Sequence, residues 1–199
     1  PAGDEDEFGH LGNVFNRVIE GLGELEVARI VQESLLPGNH FRAGPFAIYG
    51  KSLVMTTLGG DYYDCFAIDD DNWGVVIGDV AGHGVSAGLM MAMAKAGVLM
   101  ASDREKRDPS ALVMRLHQIF FAIKNEKLKR MMTLQYFVFN LKTGVFSFAN
   151  AGHCFPAIVR PRLQGAEYIE HVATPLGIGR RPKYRNLEFV IDEGESLVL

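Results

Sequence analysis

The stretch 59-GGDYYDCFAIDDDNWGVVIGDVAGHG-84 decides how the chain folds. Tyr63–Ile68 and Trp73–Ile77 are apolar, strand-like runs, and 69-DDDN-72 between them has the composition of a hairpin turn. In an antiparallel hairpin the start of one strand lies beside the end of the next. That geometry predicts that Asp61, in 59-GGDYYD-64, and Asp79, in 78-GDVAGHG-84, meet at one end of a sheet. Either motif alone reads as a tight turn with an aspartate at a turn position. Together they bring two carboxylates into mutual repulsion unless a positive charge sits between them. A hard divalent cation with oxygen ligands, Mg²⁺ or Mn²⁺, is the economical answer. The glycines flanking both aspartates let the backbone come close, so that a main-chain carbonyl can join the ligands.

Other chemistries fit less well. The glycine-rich loop lacks the Gly-Lys-Ser/Thr ending of a P-loop and the G-x-G-x-x-G of a dinucleotide fold. What remains is a loop and helix start suited to an anion such as phosphate. His83 and His153 share the tripeptide AGH, but no third or fourth ligand has zinc spacing. A histidine in such a loop serves more readily in hydrogen bonding or acid/base work. Asp64 follows Asp61 by three residues and reads as a supporting or structural group, and Asp69, Asp70 and Asp71 as a solvated turn.

Around this hairpin the chain reads as α+β. A helical segment spans residues 6–36, in which Phe8, Leu11, Phe15, Val18, Leu22 and Leu25 hold an a/d spacing for nearly three heptads. Beyond Leu25 that phase would place Arg29 and Gln32 in the seam. The apolar residues Val27, Ala28, Ile30, Val31, Leu35 and Leu36 instead predict a shift of the stripe to another face, with residues 27–36 packed on the domain. Gly9, Gly12, Gly21 and Gly23 each weaken this helix by roughly 1 kcal/mol relative to alanine, which makes a partner helix the better support for residues 6–25. Pro37-Gly38 ends it. Strands follow at 46–53, then helices at 84–102 and 109–127, the second opened by Asp108 and Pro109. Further strands are predicted at 132–140, 145–150, 157–159, 168–172 and 187–191, and from Ser196. Strands, two adjacent helices and strands again indicate helices packed on antiparallel sheet.

Composition narrows the function classes. The 199 residues suit one ordinary domain with a flanking element, and a net charge of −4 with no dense basic block argues against nucleic-acid binding. Two distant cysteines, Cys65 and Cys154, are no disulfide framework and read as buried thiols in a reducing setting. No run approaches the ~20 apolar residues of a membrane span.

Four ordered motifs, 59-GGDYYD-64, 78-GDVAGHGVSAGLMMA-92, 149-ANAGHCFP-156 and 175-PLGIG-179, resemble the SpoIIE/RsbU-type branch of the metal-dependent PPM serine phosphatases. The segment 30-IVQESLLP-37 looks like the one that precedes that domain, and the resemblance covers roughly residues 28–199. Upstream, residues 6–22 resemble the end of a HAMP linker. The resemblance implies an αββα sandwich, incomplete at its C-terminus, divided as a HAMP-like coiled-coil remnant over 1–25, a connecting helix over 26–38 and a phosphatase domain over 39–199. It implies two Mn²⁺ or Mg²⁺ ions, with Asp61 binding one, Asp79 bridging both and the Val80 carbonyl as a further ligand. His83 is then a candidate proton donor to the leaving serine oxygen. Gly60, Gly82, Asp64, Asn150 and His153 are candidates for supporting the ligands or touching substrate. The implied substrate is a phosphoserine anti-sigma-factor antagonist. The implied setting is a cytoplasmic domain of an inner-membrane receptor, homodimeric through its N-terminal helix and tied to the membrane only by upstream segments.

The family pattern continues into a Thr-Asp-Gly motif and a further aspartate, both metal ligands, and the sequence stops at Leu199 before either. Weak metal binding and poor turnover are therefore expected. The alternatives are a non-catalytic module that binds a phosphoprotein and dimerises, and a metal-dependent nucleotide hydrolase.

Overall fold

The computed structural model describes residues 7–52, 58–123, 131–161 and 165–199, with side chains from residue 10 onward. The helix α1 (Glu7–Leu35) leads into a short antiparallel pair, β1 (His40–Ala43) and β2 (Phe46–Tyr49). The predicted hairpin follows as β3 (Asp61–Ala67), which starts two residues earlier and ends one earlier than its apolar run, and β4 (Asn72–Val80), which is longer at both ends. Then come α2 (Val85–Leu99), the single turn α3 (Asp103–Lys106) and α4 (Pro109–Ala122). The chain closes with β5 (Met132–Asn140), β6 (Val145–Ala151), β7 (Ala157–Val159), β8 (Ala166–Tyr168), β9 (Leu187–Val190) and β10 (Ser196–Val198).

Five of these strands make one antiparallel sheet in the order β3-β4-β5-β6-β9. Alternation along each strand sorts side chains to two faces. Tyr62, Val76, Val80, Leu134 and Tyr136 turn toward Met91 and Ala94 of α2 and Leu112 and Leu116 of α4, all buried. Trp73, Val75, Phe139 and Phe146 turn the other way and meet Phe46, Ile48 and Leu197 from the shorter strands. The described residues thus stack helices, a five-stranded sheet and a second tier of strands, the last formed by β1-β2 and by a three-stranded sheet in the order β10-β7-β8. Among the described residues no helix is long and apolar enough to cross a membrane.

Several expectations shift. The strand predicted over 46–53 ends at Tyr49, and Leu53 lies outside the described residues. The strand predicted over 168–172 is displaced to Ala166–Tyr168, where it pairs with β7. The helix α3 was not anticipated, although Ser102 and Glu105 form a reciprocal capping box that 102-SDRE-105 encodes. Residues 124–127 of the second predicted helix lie outside the described residues. Cys65 is buried as expected, but Cys154 is exposed, because its carbonyl rather than its thiol turns toward the protein.

The stripe along α1 does not shift face. Val27, Ile30 and Val31 stay more than half exposed, while Gln32 is 8% exposed and Leu35 and Leu36 pack against the core. The original heptad phase continues, and the polar Gln32 occupies it because two backbone groups lie across from it. Upstream, Leu11, Phe15, Val18 and Leu22 each expose more than half of their surface.

One charged group is buried inside the helix-facing layer. Asp64 lies on the face of β3 opposite to that of Asp61, accepts from the Tyr62 hydroxyl at 2.9 Å and from the Cys65 amide at 3.0 Å, and pairs with Lys95 Nζ at 2.7 Å. Removing one partner strands the other charge in a low dielectric. Lys95→Met is expected to lower urea-measured stability by about 3 kcal/mol, and adding Asp64→Asn to recover part of that loss. A double variant no more stable than the single one contradicts this account of the pair.

Candidate metal centre

Register builds the site. Asp61 and Asp79 are direct Cα partners across the β3-β4 ladder, and Asp79 is in turn the partner of Thr133 on β5. The same alternation that buries Tyr62 and Val80 on the helix side puts Asp61, Asp79 and Thr133 on the other face. They sit in one row at the sheet's end. Two rungs further in, Gln135 on β5 is the partner of Asn150 on β6, both almost wholly buried.

Gly60 keeps the approach to the aspartates open. A Cβ there would meet the Val80 carbonyl oxygen at 2.7 Å and Asp79 Oδ1 at 3.2 Å. The Gly60 carbonyl also accepts from the Val80 amide at 3.2 Å. Gly82 has φ +99, a conformation L side chains rarely adopt, and it turns the chain from β4 toward α2. The Gly84 amide ties that turn back to the Leu58 carbonyl at 3.1 Å.

Burial leads the electrostatics, and at Asp79 like charge adds to it. The Asp79 carboxyl is held above the ordinary aspartate range, first by partial burial and then by Asp61, with His153 opposing the shift. The His153 imidazole is pushed below its ordinary range by burial, against the pull of Asp79 and Asp61. Its Nδ1 lies 2.8 Å from Thr133 Oγ1, and that hydroxyl also reaches the Asp79 carbonyl at 3.4 Å. A threonine hydroxyl has one proton. It serves either His153 Nδ1 or the Asp79 carbonyl, and the shorter of the two contacts is the one to Nδ1.

The loop that presents His153 is stapled from beneath. Asn150 Oδ1 accepts from the His153 amide at 2.8 Å, and Asn150 Nδ2 donates to the carbonyls of His153 and His171. Gln135 Nε2 donates to the Cys154 carbonyl at 2.7 Å. From the other side α1 reaches the same end of the sheet. Gln32 Nε2 donates to the Gly59 carbonyl at 2.7 Å and Gln32 Oε1 accepts from the Gly59 amide at 3.1 Å. A Cβ on Gly88 of α2 would sit 3.0 Å from Gln32 Nε2, so the clamp is wedged between helix and loop.

The structure therefore brings Asp61, Asp79, Val80, Gly60, Asn150 and His153 to one end of the sheet. His83 is exposed in the turn between β4 and α2, with no hydrogen bond or ion pair among the described residues. Asp64 belongs to the opposite face with Lys95. Thr133, Gln135 and Gln32 were not singled out from sequence. Thr133 and Gln135 did leave a signal, as two polar residues alternating at the head of an otherwise apolar strand.

A facing carboxylate pair with a glycine-cleared carbonyl beside it fits a hard divalent cation. Among the described residues no group of three or more His, Cys, Asp or Glu side chains gathers to hold one. The donor set shown is two carboxylates and backbone oxygen.

Comparison with known proteins agrees with this architecture. The profile of the family Stage II sporulation protein E (SpoIIE) matches residues 69–199. Phosphoserine phosphatase RsbU of Bacillus subtilis (strain 168) is 27% identical over 177 residues, which are 88% of this chain and 51% of RsbU. The chain spans about half or less of the curated relatives it matches. The SiaA-PP2C domain of Pseudomonas aeruginosa superposes with a TM-score of 0.71 at 21% identity, over 90% of this chain and 71% of that one. RsbX, solved in complex with magnesium, gives 0.56 at 20% identity, over 74% of this chain and 66% of RsbX. The fold is that of the PP2C/PPM phosphatases, and the chain belongs to the SpoIIE family.

Proposed function

We propose that this chain is the phosphatase domain of a metal-dependent protein serine phosphatase, acting on a phosphoserine regulatory protein of the anti-sigma-factor antagonist type. The observation that carries this reading is the opposition of Asp61 and Asp79 across one ladder rung, with Gly60 clearing the Val80 carbonyl beside them. Asp61, Asp79 and the Val80 carbonyl would hold Mn²⁺ or Mg²⁺. When bound, such ions supply Lewis acidity toward water and toward the phosphoryl oxygens. The names of RsbU and RsbP, and the magnesium in RsbX, support the activity and the ion.

The protein's own residues set the stage for hydrolysis. The opposed carboxylates of Asp61 and Asp79 would repel each other less with a divalent cation between them. Thr133 holds the His153 ring through Nδ1 beside the Asp79 backbone. His83 is the residue we assign to protonating the leaving serine oxygen, from a turn free to meet substrate. Residues 39–199 are the catalytic domain in this reading. Residues 26–38 are a connecting helix, and residues 1–25 a HAMP-like coiled coil linking it to an upstream sensor of a membrane receptor. The exposed stripe of Leu11, Phe15, Val18 and Leu22 supports a homodimer through this helix.

Three outcomes test this. Mn²⁺ should stimulate phosphate release from a phosphoserine protein in single-turnover assays, and Asp79→Asn should cut it by at least about 100-fold. Capture of the phosphoprotein without release, alike in both chains, favours the non-catalytic module instead. The second outcome follows from the raised Asp79 carboxyl. A group whose folded pKa lies above its unfolded value of about 3.9 gives stability that is present below that value and lost as pH rises through the folded pKa. Without metal, Asp79→Asn should therefore melt about 1–3 °C above wild type at pH 7 and level with it at pH 3, whereas Mn²⁺ should raise wild type alone. An equal difference at both pH values contradicts the strained pair. Third, Leu22→Asp should lower the dimer fraction by light scattering, and an unchanged mass contradicts the coiled coil.

A further inference from the structure

The segment 175-PLGIGRRPKYRN-186 carries a feature the metal centre does not use. Four of the chain's 20 lysines and arginines fall within six residues, at Arg180, Arg181, Lys183 and Arg185, in a chain of net charge −4. All four are exposed. Elsewhere Arg29, Lys95, Arg107, Arg115, Lys142 and Arg160 each meet a carboxylate. Arg180, Arg181 and Lys183 have no hydrogen bond or ion pair among the described residues, and Arg185 donates its Nε to His171 Nε2 at 3.0 Å.

The backbone beneath these cations is held at both ends. Leu176 exchanges hydrogen bonds with Met132 of β5, its amide donating at 2.9 Å. The Gly177 amide donates to His117 Nδ1 of α4 at 3.3 Å. At the far end Asn186 Oδ1 accepts from the Ser110 amide at 2.7 Å, and Asn186 Nδ2 donates to Asp108 at 2.9 Å. Between them the Tyr184 ring packs against the core and its hydroxyl donates to the Thr174 carbonyl at 3.0 Å. The segment is a strap laid along α4 with its charges outward, so a ligand meets cations whose backbone is already ordered.

Its root places it near the metal centre. Met132 is the β5 partner of Val80, the residue after Asp79. Two strand spacings of roughly 4.8 Å separate β4 from Leu176, and Arg180 follows within about 14 Å of chain. A protein partner's contact patch of roughly 800 Å², close to 30 Å across, would span the distance from the metal centre to the root of the strap. We propose that the strap over residues 179–185 is a docking site for an acidic face of the phosphoprotein substrate, rim contacts that steer and orient it while its phosphoserine enters the metal centre. This rests on the phosphatase reading above. The shared sheet end favours a protein substrate over an anionic membrane, which has no phosphoserine to deliver.

The test uses the whole chain, wild type and the triple variant Arg180→Glu, Arg181→Glu, Lys183→Glu, with a milder Arg180→Gln, Arg181→Gln, Lys183→Gln variant beside it. The probe is a fluorescein-labelled 20-residue peptide rich in Asp and Glu around one phosphoserine, against a control with Asn and Gln in place of the acids. Wild type should prefer the acidic peptide, with affinity falling as salt rises. The glutamate variant should bind it at least about tenfold more weakly, the glutamine variant should fall between, and both should keep wild-type circular dichroism and melting. Equal binding by wild type and the glutamate variant overturns the proposal. So does a wild type with no preference between the peptides, or one that binds phosphatidylglycerol vesicles and not the peptide. Mn²⁺-dependent hydrolysis of p-nitrophenyl phosphate, measured in parallel, should be the same in all three chains. Its absence from wild type counts against the phosphatase reading, while a strap-dependent preference for the acidic peptide still upholds the docking site.

Discussion

Two like charges held face to face across a ladder rung are the constraint on which the rest of the site depends. Asp61 and Asp79 are Cα partners, and an antiparallel pair in that register keeps opposed side chains within roughly 5.5 Å at Cβ. A carboxylate pair at that spacing works against the hairpin that carries it, and the Asp79 carboxyl is held above its ordinary range by burial first and by Asp61 second. The hairpin survives because the rest of the ladder is apolar and central. β4 lies between β3 and β5, with Val76 and Val80 fully buried. Sheet stability is thus used to hold an arrangement that only a cation relieves.

Two sets of polar contacts converge on this rung from different parts of the chain. From within the sheet, Gln135 and Asn150 staple the loop carrying His153, and Thr133 couples that imidazole to the Asp79 backbone. From outside, Gln32 pairs with both backbone groups of Gly59, two residues before Asp61. The second contact ties the site to α1, whose upstream apolar residues have no cover among the described residues. That link is one amide side chain, wedged against Gly88 of α2.

Much of this was legible in the chain. Period-two alternation and the DDDN turn were enough to place Asp61 beside Asp79, since hairpin topology leaves one arrangement for short turns. The AGH motifs marked His83 and His153, although only His153 makes a hydrogen bond at the site among the described residues. What escaped notice depends on register between distant segments. Thr133 and Gln135 matter because β5 aligns them with Asp79 and Asn150, and nothing local to 132-MTLQ-135 states that alignment. Gln32 escaped for a related reason. Apolar content ranks Val27, Ile30 and Val31 with Leu35 and Leu36 as packed, and only the last two are, whereas the helix turns a glutamine inward to satisfy a glycine backbone. Hydrophobic pattern finds surfaces that exclude water and is silent about polar groups that must be matched.

The central claim is that the Asp61–Asp79 rung is a cation seat. Crystals of the chain soaked in Mn²⁺, with anomalous diffraction collected at the manganese edge, test it most directly. The account predicts an anomalous peak within about 2.5 Å of carboxylate oxygens of both Asp61 and Asp79, adjoining the Val80 carbonyl. Manganese bound elsewhere, with the two carboxylates turned apart and no peak between them, would contradict it.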